Sequence, residues 1–185
     1  MSLYTGKGDN GTTKTFGCDQ RISKSSIIAE ALGSLDEINS FLGLIKVKTQ
    51  GLNKFSILDK TYEFIIHEIQ ENLFIIQAEV AGADKYLSEE KLRICEAYIN
   101  EGEKLLPPIT TFFISGGTEI AALSDIARTI ARRAERRVVG VHEEGLVKLG
   151  DYTLAYMNRL SSLLYCLARL ANHFSDLKEK SPNYK

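Results

Sequence analysis

Apolar residues recur every three or four positions along five stretches of this chain, which is the periodicity of helices with one buried face. In the first stretch, Ser34-Leu-Asp-Glu37 matches a capping box, which predicts that the helix begins there with Asp36 in its first turn. Gly51 and Asn53 break the chain after it. The second stretch continues up to Gly82, so it predicts a long amphipathic helix.

The remaining three helices are bounded by residues that cap or break helices. Ser88 is predicted to cap the third helix, which must end near Leu106 because Pro107-Pro108 forbids its continuation. Thr118 is placed to cap the fourth helix, and Asp151 is placed to cap the fifth. Helical segments joined in this way are typical of a bundle.

Size and composition indicate one compact domain. The chain has 185 residues, of which 44% are hydrophobic, and this suffices for one sizeable core. The sequence shows no convincing strand, repeat or domain linker. We therefore predict a single all-α domain, residues 1–185, in which a bundle of about five helices over residues 26–176 follows an N-terminal glycine-rich loop.

Charge and cysteine content favour a soluble, cytoplasmic protein. The net charge is −1, which argues against nucleic acid as the main partner. No apolar run reaches the ~18 residues of a membrane span, and the N-terminus lacks the apolar core of a signal peptide, so we expect no membrane partner. Cys18, Cys95 and Cys166 are far apart, which fits a reducing compartment and no CxxC metal site.

Arginines cluster on the fourth predicted helix, within residues 124–141. Arg133 and Arg137 are expected to point to water. Planar guanidinium groups suit phosphate oxygens, but arginine-rich helices often form only a salt-bridged surface. The pattern by itself supports a phosphate site and a salt-bridged surface about equally. Four side chains share one arc beside the apolar side of the helix at about 100° per residue: Arg128, Arg132, Glu135 and Arg136.

The N-terminal segment, residues 4–17, is rich in glycine and threonine with lysines between them. Gly6, Gly8 and Gly11 match G-x-G-x-x-G, but no strand precedes them and no βαβ unit follows, so a Rossmann site is excluded. A Walker A motif is excluded because Thr12 follows Gly11 where lysine is required. Glycine backbone with threonine and lysine donors still suits an anion, although the segment taken alone favours a disordered tail.

The one long non-helical connection in the body of the chain, residues 107–118, contains Phe112 and Phe113 before Gly116-Gly117. Neighbouring side chains in an extended loop cannot easily share one buried direction. One phenylalanine ring could therefore fill the core while the other faces a pocket. From sequence alone, burial of both rings in the core is the favoured interpretation.

Seven segments occur along the chain in a characteristic order: TGKGDNGTT, Lys24, GSLDEINSFLG, IQENLF, FFISGGT, ARTIARRAERRVV and YMNRLSSLLYCLAR. Together they resemble the PduO-type ATP:cob(I)alamin adenosyltransferases. The similarity extends from residue 4 to about residue 172, and RRAER with the downstream NRLS is its most specific part. The chain departs from the family pattern at Gly6, where the family usually has a basic residue, and at Ser115, where it usually has a proline. The connector before Lys24 also differs in length from that of some relatives.

The resemblance implies a homotrimer of helical bundles with active sites between subunits. ATP would be bound by the N-terminal loop of one subunit and by the arginine helix of its neighbour. The ATP-binding residues implied in this way are Thr5, Gly6, Lys7, Gly8, Thr13, Lys14 and Lys24 from one subunit, and Arg132, Glu135, Arg136 and Asn158 from the other.

The resemblance also implies the chemistry. Co(I) of the substrate cobalamin attacks the 5′ carbon of ATP and expels triphosphate, assisted by Mg²⁺. Because Co(I) is itself the nucleophile, no activated serine or cysteine is needed. Phe112 would displace the lower axial ligand of the cobalt, and Asp36 would pair with Arg128 across the subunit interface. A reductase would supply the electron to Co(II), and no protein ligands to a metal are implied.

Two other classes of protein are compatible with parts of the sequence. A ferritin-like di-iron bundle needs Glu-x-x-His pairs, and none of His67, His142 and His173 has a glutamate three residues before it. An RNA-binding protein with an arginine-rich helix would bind with a steep salt dependence. That second class leaves the N-terminal glycine loop unexplained.

Overall fold

The computed structural model describes residues 3–16, 20–52 and 55–184. In that part of the chain, five α-helices contain most of the residues, so the predicted all-α architecture of about five helices is confirmed. In chain order the elements are β1 (Thr12–Lys14), β2 (Arg21–Ser23), α1 (Ile27–Thr49), β3 (Ser56–Ile57), β4 (Lys60–Thr61), α2 (Tyr62–Val80), α3 (Glu89–Leu105), α4 (Glu119–Glu143) and α5 (Thr153–His173).

Helix α4 packs against α1 on one side and against α5 on the other, while α2 packs against α1 and α3 against α5. The helices share one continuous apolar core, and full burial of each large aliphatic side chain contributes about 1.5–3 kcal/mol. The arginine-rich face of α4 is therefore held beside this core. The buried face of α4 is formed mainly by small or β-branched residues: Ala121, Ala127, Ile130, Ala131, Ala134, Val138 and Val141.

Buried hydroxyl and amide groups join helices that are distant in sequence. The hydroxyls of Tyr62 on α2 and Ser124 on α4 are hydrogen-bonded, and Ser124 also donates to the carbonyl oxygen of Ile120. Asn72 Nδ2 donates to the hydroxyl of Tyr156 on α5 at 3.1 Å. Burial raises the pKa of both tyrosines, so the two phenols stay protonated and act as neutral hydrogen-bonding groups in the core.

Helix α1 begins about two turns before the predicted start. Ser26 is its N-cap, and the Ser26 side chain accepts a hydrogen bond from the backbone N–H of Ala29 at 3.3 Å. The capping-box prediction at Ser34 was wrong because Ala31 continues the apolar face towards the N-terminus, which leaves Ser34 buried inside the helix. Asp36 consequently lies in the third turn of α1 and gains nothing from the N-terminal helix dipole.

Two predicted caps have different outcomes. Thr118 caps α4 as predicted, because its hydroxyl accepts a hydrogen bond from Ala121 N at 3.1 Å. Asp151 does not cap α5, which begins after Tyr152 without a side-chain cap. A glutamate from helix α2 instead binds the residues around this start.

The buried carboxylate of Glu79, at the end of α2, holds the start of α5. It accepts hydrogen bonds from the backbone N–H of Gly150 and from Thr153 Oγ1, the latter at 2.6 Å. We expect Glu79→Ala to lower the free energy of unfolding by about 1–3 kcal/mol, because two buried donors lose their acceptor. Urea unfolding measures this change. Glu71→Ala, an exposed position on the same helix, is the control, and equal midpoints for the two variants would contradict the role of Glu79.

Two short hairpins correct the prediction that the chain contains no strand. In the first, Thr13 of β1 lies opposite Ile22 of β2. In the second, β3 and β4 are joined by Leu58 and Asp59, both with positive φ values (51° and 59°), as in a type I′ turn. Strands of two or three residues are too short to show alternation, and this turn lacks the usual Asn-Gly signal.

Among the described residues, no helix combines the length and the apolar character needed to cross a membrane. Cys95 and Cys166 are buried free thiols. Cys18 lies outside the described residues.

Candidate active site

A cavity of about 440 Å³ lies between the loop that precedes α4 and the facing surfaces of α4 and α5. Its lining combines aromatic rings with guanidinium groups, which suits a large, partly apolar ligand that carries negative charge. Three of the predicted site residues, Phe112, Arg128 and Arg132, meet in this cavity. Other side chains in its lining include Asp125, Ser161, Tyr165, Arg169, Asn172 and Glu179.

Buried polar side chains fix the C-terminal end of the loop. Asn172 on α5 donates through Nδ2 to the carbonyl oxygen of Gly116 and accepts through Oδ1 from Thr118 N, both at 2.9 Å. Asp125 Oδ2 accepts from Gly116 N at 3.2 Å. Gly117 has a φ of 108°, and a Cβ there would collide with the Asn172 amide, so glycine is required at this position.

The two phenylalanines of the loop occupy different environments. Phe113 is half-buried, with its ring 5.1 Å from the Arg169 guanidinium carbon. Phe112 is 80% exposed and lies in the cavity wall. The interpretation that both rings belong to the core was therefore wrong. The contact with Arg169 holds the Phe113 ring half-buried, and both rings contribute to the lining of the cavity.

Arg128 is oriented by contacts on both sides. Its Nε donates to Asp125 Oδ1 at 3.2 Å, and its guanidinium lies over the Tyr165 ring at 5.8 Å. Desolvation by burial raises the pKa of Tyr165, so the phenol is neutral. Asp36 is exposed on α1, and the carboxylate that Arg128 contacts within the chain is Asp125. The Asp36–Arg128 pair, which the family resemblance places across a subunit interface, stays a prediction.

The arginines of α4 divide into paired and unpaired groups. Arg133 forms an ion pair with Glu37, and Arg137 lies 3.9 Å from Glu30, so both reach α1 and the expectation that they point to water was incomplete. Within residues 3–16, 20–52 and 55–184, by contrast, Arg132 and Arg136 have no ion-pair partner. Two exposed guanidinium groups are therefore available to a ligand.

Glu135 lies between these two arginines in sequence, and its Oε1 accepts a hydrogen bond from Asn158 Nδ2 at 3.1 Å. Asn158 Oδ1 in turn accepts from Arg159 at 2.7 Å. The structure thus brings Glu135 and Asn158 together across α4 and α5. Both belong to the predicted ATP-binding set.

The N-terminal segment forms turns that lead into the β1–β2 hairpin. Gly6 and Gly11 have positive φ values of 68° and 79°. The Lys24 backbone N–H donates to the Gly11 carbonyl oxygen at 2.9 Å. A Cβ added at Gly8 would lie 3.3 Å from Lys24 Nζ and 3.0 Å from the carbonyl oxygen of Thr12. The structure therefore brings the glycine turn and Lys24 together, with Thr5 and Lys7 exposed beside them, while Thr13 and Lys14 lie on β1.

The segment that follows the hairpin packs against the C-terminal half of the arginine helix. Ile27, the first residue of α1 after the hairpin, packs where a Cβ on Gly140 would stand. Arg132 is eight residues before Gly140, which corresponds to roughly 12 Å along the helix axis. Among the described residues, no hydrogen bond joins the Lys24 side chain to Arg132 or Asn158.

The chain matches the family model described as cobalamin adenosyltransferase over residues 3–171. Among curated proteins it is 35% identical over 195 residues to the corrinoid adenosyltransferase PduO of Salmonella typhimurium, with 100% of this chain and 55% of the relative covered. It is 37% identical over 176 residues to the corrinoid adenosyltransferase of Bacillus subtilis, with 93% and 87% covered. The chain belongs to the cobalamin adenosyltransferase family.

A solved structure from the same family has the same fold. A variant PduO-type ATP:corrinoid adenosyltransferase from Lactobacillus reuteri, complexed with cobalamin and ATP, superposes with a TM-score of 0.88 at 28% identity. The match covers 99% of this chain and 97% of that one. The chain spans about half the length of the Salmonella and Citrobacter PduO proteins that it matches.

Several residues that line the cavity were not predicted from the sequence. Asp125 had a detectable signal, because it precedes Arg128 by three residues on a helix. Arg169 also had one, since it is a single charged residue on the otherwise apolar face of α5 and is only 4% exposed. Tyr165 and Asn172 gave no signal that separates them from ordinary core-edge residues.

The cysteines of the described residues are unsuited to nucleophilic chemistry. Desolvation by burial raises the pKa of Cys95 and Cys166 to about 12. Both thiols are therefore protonated at neutral pH, and the thiolate is the reactive form. Neither thiol is therefore a candidate nucleophile.

Proposed function

We propose that the chain transfers the 5′-deoxyadenosyl group of ATP to cob(I)alamin and releases triphosphate. An electron pair of Co(I) forms the bond to C5′, and the C5′–O bond breaks with its electrons leaving on the triphosphate. The observation that carries the proposal is the cavity in which the exposed Phe112 ring faces Arg128 and Arg132. Family membership and relatives named corrinoid adenosyltransferases support it.

ATP is bound, in this proposal, by the unpaired arginines of α4. Arg132 and Arg136 offer planar donors to phosphate oxygens, and Glu135 with Asn158 supplies polar contacts one helix away. The family resemblance would bring the glycine turn and Lys24 of a second subunit to the triphosphate. The assembly proposed on this ground is a homotrimer with shared sites.

The proposed ATP site suits a Mg²⁺ ion bound to the triphosphate. It is usually bound through substrate phosphates and one or two carboxylates, with water completing its shell. Glu135 is the carboxylate of the predicted ATP set, and among the described residues its Oε1 accepts a hydrogen bond from Asn158 Nδ2. Glu135 would hold the ion, which supplies charge stabilisation to the leaving triphosphate.

The protein contributes positioning, electrostatics and exclusion of water, because Co(I) needs no activation as a nucleophile. Phe112 would occupy the lower axial face of the corrinoid and exclude the lower ligand, which leaves a four-coordinate Co(II) that is easier to reduce. A reductase would deliver that electron. We place the reaction in the cytoplasm, where soluble reductants are available.

The Asp36–Arg128 pair would orient the corrinoid or the neighbouring subunit. Breaking one side of a buried ion pair costs about 3–5 kcal/mol, so we expect Asp36→Ala and Arg128→Ala to be non-additive in both activity and assembly. A double-mutant cycle on transfer rate and on oligomer dissociation measures the coupling. Asp125→Asn is the comparison, because it tests the carboxylate that Arg128 contacts within the chain. Strict additivity of the Asp36 and Arg128 substitutions would show that the two side chains do not interact.

The test of the proposed function is an anaerobic assay with chemically reduced cobalamin, ATP and Mg²⁺. Formation of the Co–C bond changes the visible absorption of the corrinoid. We expect this change to require both the protein and ATP. Its absence with folded protein and intact Co(I) would contradict the proposal.

A further inference from the structure

Arg169 is a buried cation that joins three segments of the chain. It lies on α5 with only 4% of its surface exposed. Its Nε donates to Glu179 Oε2 at 2.9 Å and its NH2 group donates to the carbonyl oxygen of Pro107 at 3.0 Å. The guanidinium carbon also lies 5.1 Å from the centre of the Phe113 ring. Helix, loop and C-terminal segment therefore meet at one side chain.

The buried charge makes these contacts interdependent. A charged group inside a protein is tolerated only when it is paired and hydrogen-bonded. Glu179 is the ion-pair partner of Arg169, and its side chain is itself only 15% exposed. Loss of the carboxylate leaves the guanidinium without a counter-charge. The loop and the C-terminal segment are therefore coupled through Arg169.

The C-terminal segment is also joined to the loop by backbone. Ile114 N donates to the carbonyl oxygen of Lys180 at 2.8 Å. The loop is thus fixed on both sides of Phe112: at Pro107 before it, and at Phe113 and Ile114 after it. Phe112 itself makes no such contact and is 80% exposed in the cavity. Its backbone lies between these fixed residues, so its position in the cavity depends on them.

We infer that Arg169 and Glu179 are positioning residues that hold Phe112 towards the corrinoid. This inference rests on the proposed function. The pair acts through Pro107 and Phe113 on Phe112, the ring that the proposed function places at the cobalt. Among the described residues, neither member of the pair forms a hydrogen bond with the predicted ATP-binding residues. Loss of the pair should therefore affect the coordination of cobalt and leave ATP binding unchanged.

The experiment compares three isosteric or near-isosteric variants in the full-length protein. Glu179→Gln removes the charge and keeps the shape, and Phe113→Leu removes the ring beneath the guanidinium. Arg169→Lys keeps the charge but cannot reach Glu179 and Pro107 together with a planar group. Each variant is incubated with cob(II)alamin and ATP, and the fraction of four-coordinate Co(II) is measured spectroscopically. Rates are measured from Co(II) with a reductant and from pre-reduced Co(I).

We expect Glu179→Gln and Phe113→Leu to lower the four-coordinate fraction at least threefold, and Arg169→Lys to lie between them and the wild type. The rate from Co(II) should fall by a similar factor and by more than the rate from Co(I), whereas the KM for ATP should stay within twofold of the wild type. The reason is that displacement of the lower ligand makes Co(II) easier to reduce, and a reaction that starts from Co(I) needs no such reduction.

Glu79→Gln is the matched control. It removes another buried carboxylate that is hydrogen-bonded to α5, roughly 24 Å along the helix from Arg169. We expect it to reduce thermal stability and to leave the four-coordinate fraction unchanged. If Glu79→Gln lowers that fraction as much as Glu179→Gln does, a general loss of stability explains the result and the inference is overturned.

The wild-type protein separates this inference from the proposed function. A wild type that forms neither four-coordinate Co(II) nor a Co–C bond contradicts the proposed function. A wild type that forms both, together with Glu179→Gln and Phe113→Leu variants that match it, contradicts only the positioning role of Arg169 and Glu179.

Discussion

Phe112→Ala should abolish most adenosyl transfer that starts from Co(II) while ATP affinity changes little. The side chain is 80% exposed in the cavity, so its removal costs little folding stability and opens space beside the cobalt. Water or the lower ligand would then enter that space and make the metal harder to reduce. We expect a rate loss of at least roughly 100-fold, which corresponds to about 2.7 kcal/mol in the activation barrier.

Phe112→Leu provides a graded comparison, because leucine fills part of the same space. We expect an intermediate rate and an intermediate four-coordinate Co(II) signal. If the signal survives in Phe112→Ala but disappears in Phe113→Ala, the wrong phenylalanine has been assigned. Survival in both variants would mean that ligand displacement does not operate in this protein.

Arg132→Ala should weaken ATP use by roughly ten- to a hundred-fold, because a charge-assisted hydrogen bond contributes about 1.5–3 kcal/mol. Steady-state kinetics with varied ATP measure the effect. Arg133→Ala is the matched control on the same helix: it removes an arginine whose partner is Glu37, and an exposed pair of this kind contributes only about 0–1 kcal/mol. Equal kinetic constants for Arg132→Ala and the wild type would show that Arg132 does not bind ATP.

The same substitution tests whether the site is shared between subunits. Arg132→Ala and Lys24→Ala chains would each carry one intact half of the ATP site. Mixed trimers should then regain part of the activity that both parent variants lack. If subunit exchange is verified and no activity returns, the two residues act within one chain.

The number and type of helices followed from the sequence, but not all of their boundaries did. The apolar period placed all five helices, because each buries one face against the core. The start of α1 was missed because Ser34-x-x-Glu37 is also compatible with a helix interior once Ala31 extends the apolar face. The start of α5 was missed because its acceptor is Glu79, which is 74 residues away from Thr153.

The candidate site was accessible to sequence reasoning where local geometry decides it. The arc that contains Arg132 and Arg136 follows from helical spacing alone. The different environments of Phe112 and Phe113 do not, because they depend on Arg169, a residue more than fifty positions later. The ion pair of Arg169 with Glu179 is likewise a property of the tertiary fold.

The most direct test of the central claim follows the carbon that moves. The protein is incubated anaerobically with Co(I) cobalamin, Mg²⁺ and ATP labelled with ¹³C at C5′, and the products are analysed by NMR. We expect the label to appear in the cobalt-bound carbon, and one intact triphosphate to be released for each corrinoid that is alkylated. Label that remains in ATP, ADP or AMP, with the corrinoid unalkylated, would contradict it.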